Sequence, residues 1–152
     1  MAQIKIVNFD LVPVNNSFFK ESRKLNVDFE LILMQIEMER NSVFEVEFSL
    51  SSFTGNGRVI RAMAGKKNMC ITPNDPDIRT DKKYELDEQG KWHYRINFVS
   101  EDIPELLLTG TKSDNAMSNL FVTAELHNPL LQVLLGFAES AGKNFFLNTK
   151  AA

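Results

Sequence analysis

The sequence predicts an α+β domain: an antiparallel sheet of at least four strands, followed by C-terminal helices packed on or beside it. Two patterns carry that expectation. Through Phe98, apolar residues recur at every second position, the period of a strand with one buried face. Phe44, Val46, Phe48 and Leu50 alternating with Glu45, Glu47, Ser49 and Ser51 are the plainest case. After Phe98 the spacing turns helical. Leu130, Leu131, Leu134, Leu135, Ala138 and Ala141 make a broad apolar stripe, widened by Val133 and Phe137.

Taken in order, Ile4–Val14 is rich in β-branched and apolar residues, with Pro13 near its end, and predicts the first strand. From Leu25 to Glu39 the alternation changes phase: Leu25, Val27, Phe29 and Leu31 occupy odd positions, then Ile32, Met34, Ile36 and Met38 even ones. One long strand bent by a bulge near Leu31 to Met34 accounts for this, because an extra residue flips every later side chain. Arg40-Asn41-Ser42 turns the chain into a third strand, Val43–Phe53. Residues 54–80, with Gly55-Asn56-Gly57 and Pro73-Asn74-Asp75-Pro76-Asp77, predict a loop or insertion with room for a short strand at Arg58 to Met63.

A hairpin follows, from Tyr84–Leu86 through the turn Asp87-Glu88-Gln89-Gly90 to Trp92–Val99, with His93, Arg95 and Asn97 on its outward face. Pro104 to Leu108 predicts one or two helical turns ending near Gly110, while Asn119 to Leu126 fits strand or helix. For the last helix, Asn128 suits the N-cap, Pro129 the first helical position and Gly142 a left-handed C-terminal cap. So wide a stripe needs two packing partners: the protein's own sheet, and a neighbouring subunit or ligand.

A chain of 152 residues suits one domain with a full core, and no repeat or linker divides it. With 43% hydrophobic and 24% charged residues it should fold. The 12 Phe, against 2 Tyr and 1 Trp, together with 6 Met, build either a Phe-rich core or an adaptable apolar surface. A net charge of -3 argues against nucleic acid as a partner, since a duplex binder needs a basic stripe. The single Cys70 excludes an internal disulfide and fits a reducing compartment. No signal core and no apolar run of the ~18 residues needed to span a membrane are present, so no membrane association and a cytoplasmic location are expected.

Chemistry-bearing motifs are sparse. His93 sits at an outward strand position and His127 just before the last helix, neither beside a nucleophile, which predicts surface or capping roles. Cys70 lacks a second Cys for zinc and is expected as a buried thiol. Gly55 and Gly57 are followed by Arg58 rather than by a phosphate-binding continuation. No catalytic residue, metal or cofactor is therefore expected. Asp28, Glu30, Glu37, Glu39, Glu45 and Glu47 are either a solvated sheet face or a surface that steers a basic partner.

Four strands followed by a helical tail, with Leu126-His127-Asn128-Pro129-Leu130-Leu131-Gln132 and Ser140-Ala141-Gly142-Lys143-Asn144-Phe145-Phe146-Leu147 at the end, resemble the SecB-type chaperones of protein export. The resemblance implies a homo-oligomer that binds unfolded or extended polypeptide without nucleotide. Client contacts would come from Phe29, Met34, Met38, Phe44, Phe48, Phe137, Phe145 and Phe146, with strand addition at exposed edges. The alternative is a structural or inhibitor protein of phage or bacterial origin, whose dedicated folded partner is bound through an acidic sheet face of Asp28, Glu30, Glu45 and Glu47. A third reading is a small-ligand enzyme with a β-lined cavity.

Overall fold

The computed structural model describes residues 2–14, 22–40, 42–53, 59–71, 84–104 and 116–147. Alternating segments become the strands β1 (Gln3–Pro13), β2 (Ser22–Leu33), β3 (Ser42–Phe53), β4 (Val59–Ile71), β5 (Tyr84–Leu86), β6 (Trp92–Pro104), β7 (Ala116–Asn128), β8 (Val133–Glu139) and β9 (Lys143–Leu147). The one helical element among the described residues is the short α1 (Gln35–Glu39). The fold is therefore all-β, which corrects the expected α+β class. No helix among the described residues is long and apolar enough to cross a membrane.

Antiparallel pairing builds two sheets, one in the order β1-β2-β6-β5 and one in the order β4-β3-β7-β8, with β9 also paired to β7. Their apolar faces meet. Leu25, Val27, Phe29, Leu31 and Leu33 of β2, Val46, Phe48 and Leu50 of β3, and Leu120, Val122, Ala124 and Leu126 of β7 are fully buried. Three rings join the layers: Phe48 of the second sheet lies 5.1 Å edge-on from Phe29 and 4.6 Å in a stack from Phe98, both of the first. Such pairs add to area burial by about 0.5–1.5 kcal/mol each.

Gly65 makes room for that stack. The β3–β4 register skips a residue after Phe48↔Gly65, and Gly65 has φ +140, a region open essentially to glycine alone. A Cβ there would sit 3.0 Å from Cζ of Phe98. Along one side of the sandwich, Lys67 Nζ of β4 donates to the Asn97 carbonyl of β6 at 3.0 Å. Along the other, Lys143 Nζ of β9 donates to Asn8 Oδ1 and the Phe9 carbonyl of β1 at 2.7 and 2.6 Å.

The phase change after Leu31 has a cause other than a bulge. β2 keeps its odd-position register to Leu33 and ends; the chain then makes the single turn α1, which buries Met38 and leaves Met34 and Ile36 exposed. Glu37 Oε1 accepts from the Met34 N–H at 2.9 Å, and Gln35 Oε1 accepts from Trp92 Nε1 at 2.7 Å. Pinned in this way, α1 carries the chain from the first sheet to the second.

The expected C-terminal helix is instead a hairpin. Asn128 Oδ1 accepts from the Leu130 and Leu131 N–H groups at 3.0 and 3.2 Å, as an N-cap would, but Gln132 turns left-handed (φ 53) and the chain returns as β8. A run of apolar residues suits a strand as well as a helix, and here β7 offers a ladder. Gly142 caps nothing: it lies where a Cβ would collide with the Asn119 side chain. Of the short strand expected at Arg58 to Met63, Arg58 lies outside the described residues and the rest is the start of the much longer β4, on which Cys70 is exposed rather than buried. The helical turn expected after Pro104 falls outside the described residues.

Replacing Phe48 should test the inter-sheet stack directly. Phe48→Ala is expected to lower unfolding free energy in urea by about 3–5 kcal/mol, the usual cost of truncating a buried ring. A loss below about 1 kcal/mol would mean that the rings do not hold the sheets together.

Candidate functional site

Outward-facing positions of the second sheet carry the densest group of charges. On β7, Val122, Ala124 and Leu126 point inward, so Thr123, Glu125 and His127 share the outer face. The β3–β7 register sets Glu47 opposite Glu125 and Glu45 opposite His127. Like charges directly opposed across strands are unfavourable, and two cations of β4 offset them. Lys66 lies 3.5 Å from Glu45 and 3.9 Å from Glu47, and Arg61 lies 3.8 Å from Glu125. His127 Nε2 is 3.3 Å from Glu125 Oε2. Next to this group is a cavity of about 260 Å³ lined by Glu45, Glu47, His127, Asn128, Pro129 and Gln132.

Beside the charged group lies the apolar β7–β8 hairpin. Register places Phe137 opposite Glu125 and Leu134 opposite His127, so both join the outer face next to the carboxylates. Leu130 and Leu131 at the turn, and Val133 at the start of β8, are exposed as well. Further along, β8 is followed by Ser140, whose N–H donates to the Val122 carbonyl at 2.9 Å while its Oγ accepts from the Val122 N–H at 2.8 Å.

A second constellation occupies the outer face of the first sheet. His93 is held between two carboxylates, Nδ1 at 2.5 Å from Glu30 Oε1 and Nε2 at 2.7 Å from Asp87 Oδ2, with Arg95 Nε 3.4 Å from Glu30 Oε2. The Glu30 hydrogen bond, then that of Asp87, pushes the imidazole pKa up despite partial burial. Asp87 is held below the usual carboxylate range by His93 and by the Lys91 and Gln89 N–H groups. Close by, a cavity of about 540 Å³ is bordered by Val7, Asp28, Lys67, Arg95 and Asn97. Tyr94 and Ile96 also line it, no Ser, Thr or Cys does so among the described residues, and the clamp orients an imidazole whose two nitrogens are both occupied.

The sequence-derived client set is dispersed. Phe29, Phe44, Phe48 and Met38 are buried core, and Phe145 packs on that core 5.9 Å from Phe9. Met34 is exposed beside α1 and Phe137 on β8, while the Phe146 side chain lies outside the described residues. The four acidic residues do not form one face: Asp28 and Glu30 sit on the first sheet, Glu45 and Glu47 on the second, because α1 moves the chain between sheets. Glu30 is also buried, under His93. Sequence reading missed Asp87, Glu125 and the apolar hairpin tip as surface features; only cross-strand register brings them to their partners.

No protein-family model matches the chain, and no curated protein matches it. Among solved structures it is similar to a bacterial adhesin from Mobiluncus mulieris containing intramolecular disulfide, isopeptide and ester bond cross-links, with a TM-score of 0.54 at 9% identity over 97% of this chain and 57% of that one. Bacteroides uniformis beta-glucuronidase 2 matches with a TM-score of 0.46 at 10% identity, over 96% of this chain. The chain spans 13% of the glucuronidase chain. The adhesin likeness is one of fold alone and agrees with a β-sandwich. Together with the missing C-terminal helix, it overturns the resemblance to SecB-type chaperones.

The His93 clamp has a defined pH signature. Because its folded pKa lies above the unfolded value of about 6.5, its stabilisation is fully present below that value and is lost as pH rises through the folded pKa. The stability gap between wild type and His93→Gln, measured in urea, should therefore be greatest at about pH 6 and shrink as the pH is raised above it. A gap that is constant or widens would show that the imidazole is not held protonated by Glu30 and Asp87.

Proposed function

We propose that this protein is a non-catalytic binding module that holds an extended segment of a partner protein along the β8 edge. One observation carries the reading: β8 ends its sheet, and from Asn128 to Ala138 the chain has no charged residue. Leu130, Leu131, Val133, Leu134 and Phe137 there are 78%, 71%, 46%, 56% and 55% exposed. Natural sheets usually guard an edge with charge, proline or a covering segment, since an open edge invites pairing. Depletion of charge with an exposed aromatic residue is also the composition of an interface centre.

Strand addition uses the backbone groups of a sheet edge for affinity and the side chains beside it for selection. Beside β8 those side chains are Phe137 and Leu134 with Glu125 and Glu139 on the same outer face. That combination favours an apolar segment flanked by basic residues. A second copy of this chain would bring its own acidic positions to the same edge, which supports a different protein as the occupant.

Fluorescence anisotropy with a labelled apolar peptide flanked by lysines, and with its glutamate-flanked counterpart, tests this. The lysine-flanked peptide should bind more tightly, lose affinity with added salt, and bind about tenfold or more weakly to Leu134→Lys, an exposed substitution that leaves the core intact. Light scattering of the protein alone supplies the opposite outcome. A dimer that Leu134→Lys dissociates, with neither peptide bound, would overturn the reading in favour of self-association.

A further inference from the structure

We infer that Glu47, Glu125 and His127 form a binding site for one divalent transition-metal ion, zinc(II) by its chemistry, on the outer face of the second sheet. One ligand atom from each residue can be chosen so that all lie within 4.8 Å of one another. Around a tetrahedral zinc ion with bonds of about 2.0–2.2 Å, donor atoms stand about 3.3–3.6 Å apart. His127 Nε2 and Glu125 Oε2 are already at 3.3 Å, and a Glu47 carboxylate oxygen lies within 4.8 Å of both side chains.

The scaffold is rigid. Glu125 and His127 alternate with the fully buried Ala124 and Leu126 on β7, and Glu47 stands between the fully buried Val46 and Phe48 on β3. Their backbone positions are therefore set by the core, as a preorganised site requires. Charge points the same way. Among the described residues, the Lys and Arg side chains that meet the opposed pair Glu47 and Glu125 are Lys66 and Arg61, at 3.9 and 3.8 Å, beyond hydrogen-bond length, from side chains 55% and 49% exposed. Exposed pairs of this kind contribute little, whereas a compact dication between the two carboxylates removes the repulsion outright.

Two further features distinguish this group from a solvated acidic patch. Thr123 shares the outer face one place before Glu125; it is 8% exposed, and its hydroxyl is buried without a hydrogen-bond partner. A buried hydroxyl without a partner carries a desolvation cost, which a hydrogen bond to a ligand carboxylate or a metal-bound water would relieve. The cavity of about 260 Å³ beside Glu47 and His127 leaves space for the fourth ligand of a three-residue site. The imidazole selects the metal class: calcium and magnesium prefer all-oxygen shells, while one nitrogen and two carboxylates suit zinc.

Isothermal titration of chelator-treated protein with zinc chloride, and separately with calcium chloride, is the test. One equivalent of zinc should bind and raise the melting temperature, with calcium binding far more weakly. His127→Ala and Glu47→Gln should each weaken zinc by at least about tenfold. Glu47→Gln should stabilise the metal-free protein by relieving the opposed charges, which separates loss of the site from loss of the fold. His93→Gln should leave zinc binding unchanged. Failure of zinc to bind, zinc binding abolished by His93→Gln, or calcium bound equally well with or without His127 would each overturn the inference. Peptide binding at β8 is read out with Leu134→Lys and does not enter this result.

Discussion

Contact between Phe29, Phe48 and Phe98 is the interaction on which the other features rest, because it sets how closely the two sheets approach. Interiors pack at crystal-like density, so a ring inserted between layers fixes their separation to within a fraction of an ångström. Gly65 belongs to the same unit: its φ +140 and missing Cβ let β4 bend around Phe98. That bend also brings Lys67 to the Asn97 carbonyl and closes one side of the sandwich.

From this packing the outer faces acquire their properties. Each strand has one face committed to the core, so its alternate residues are forced to the surface in a row with known neighbours across the ladder. Glu47, Glu125 and His127 meet on the outside of the second sheet for that reason, and Glu30, His93 and Arg95 on the outside of the first. The two groups differ in satisfaction. His93 has both ring nitrogens engaged by carboxylates, which makes it a structural clamp, whereas Glu47 and Glu125 near His127 meet the exposed Lys66 and Arg61 only at 3.9 and 3.8 Å.

Edges are treated unequally, and the inequality locates the proposed interaction. β1 is tied by Lys143, whose amine caps Asn8 Oδ1 and the Phe9 carbonyl and lies 5.1 Å from the Phe9 ring. Ile4 lies against β8 at Gly136, yet Leu134 and Phe137 on the same strand remain outward. An edge that is apolar and uncharged from Val133 to Ala138 invites pairing, which is the basis of the proposed partner segment.

Strand alternation was legible in the sequence by itself wherever one face is buried: the Phe44 to Leu50 segment, the Trp92 to Phe98 hairpin and the odd-position run from Leu25 to Leu31 all became the strands their period implied. The outward placement of His93, Arg95 and Asn97 was legible for the same reason. Leu130 to Phe137 was not, because an apolar run with a favourable Asn128-Pro129 start fits helix and strand alike, and the ladder offered by β7 decided between them. Nor could alternation reveal that Asp28 and Glu45 face opposite sides of the molecule, since a single turn at α1 transfers the chain between sheets. Local period determines which way a side chain points from its own strand; only the pairing of distant strands decides which residues it meets there.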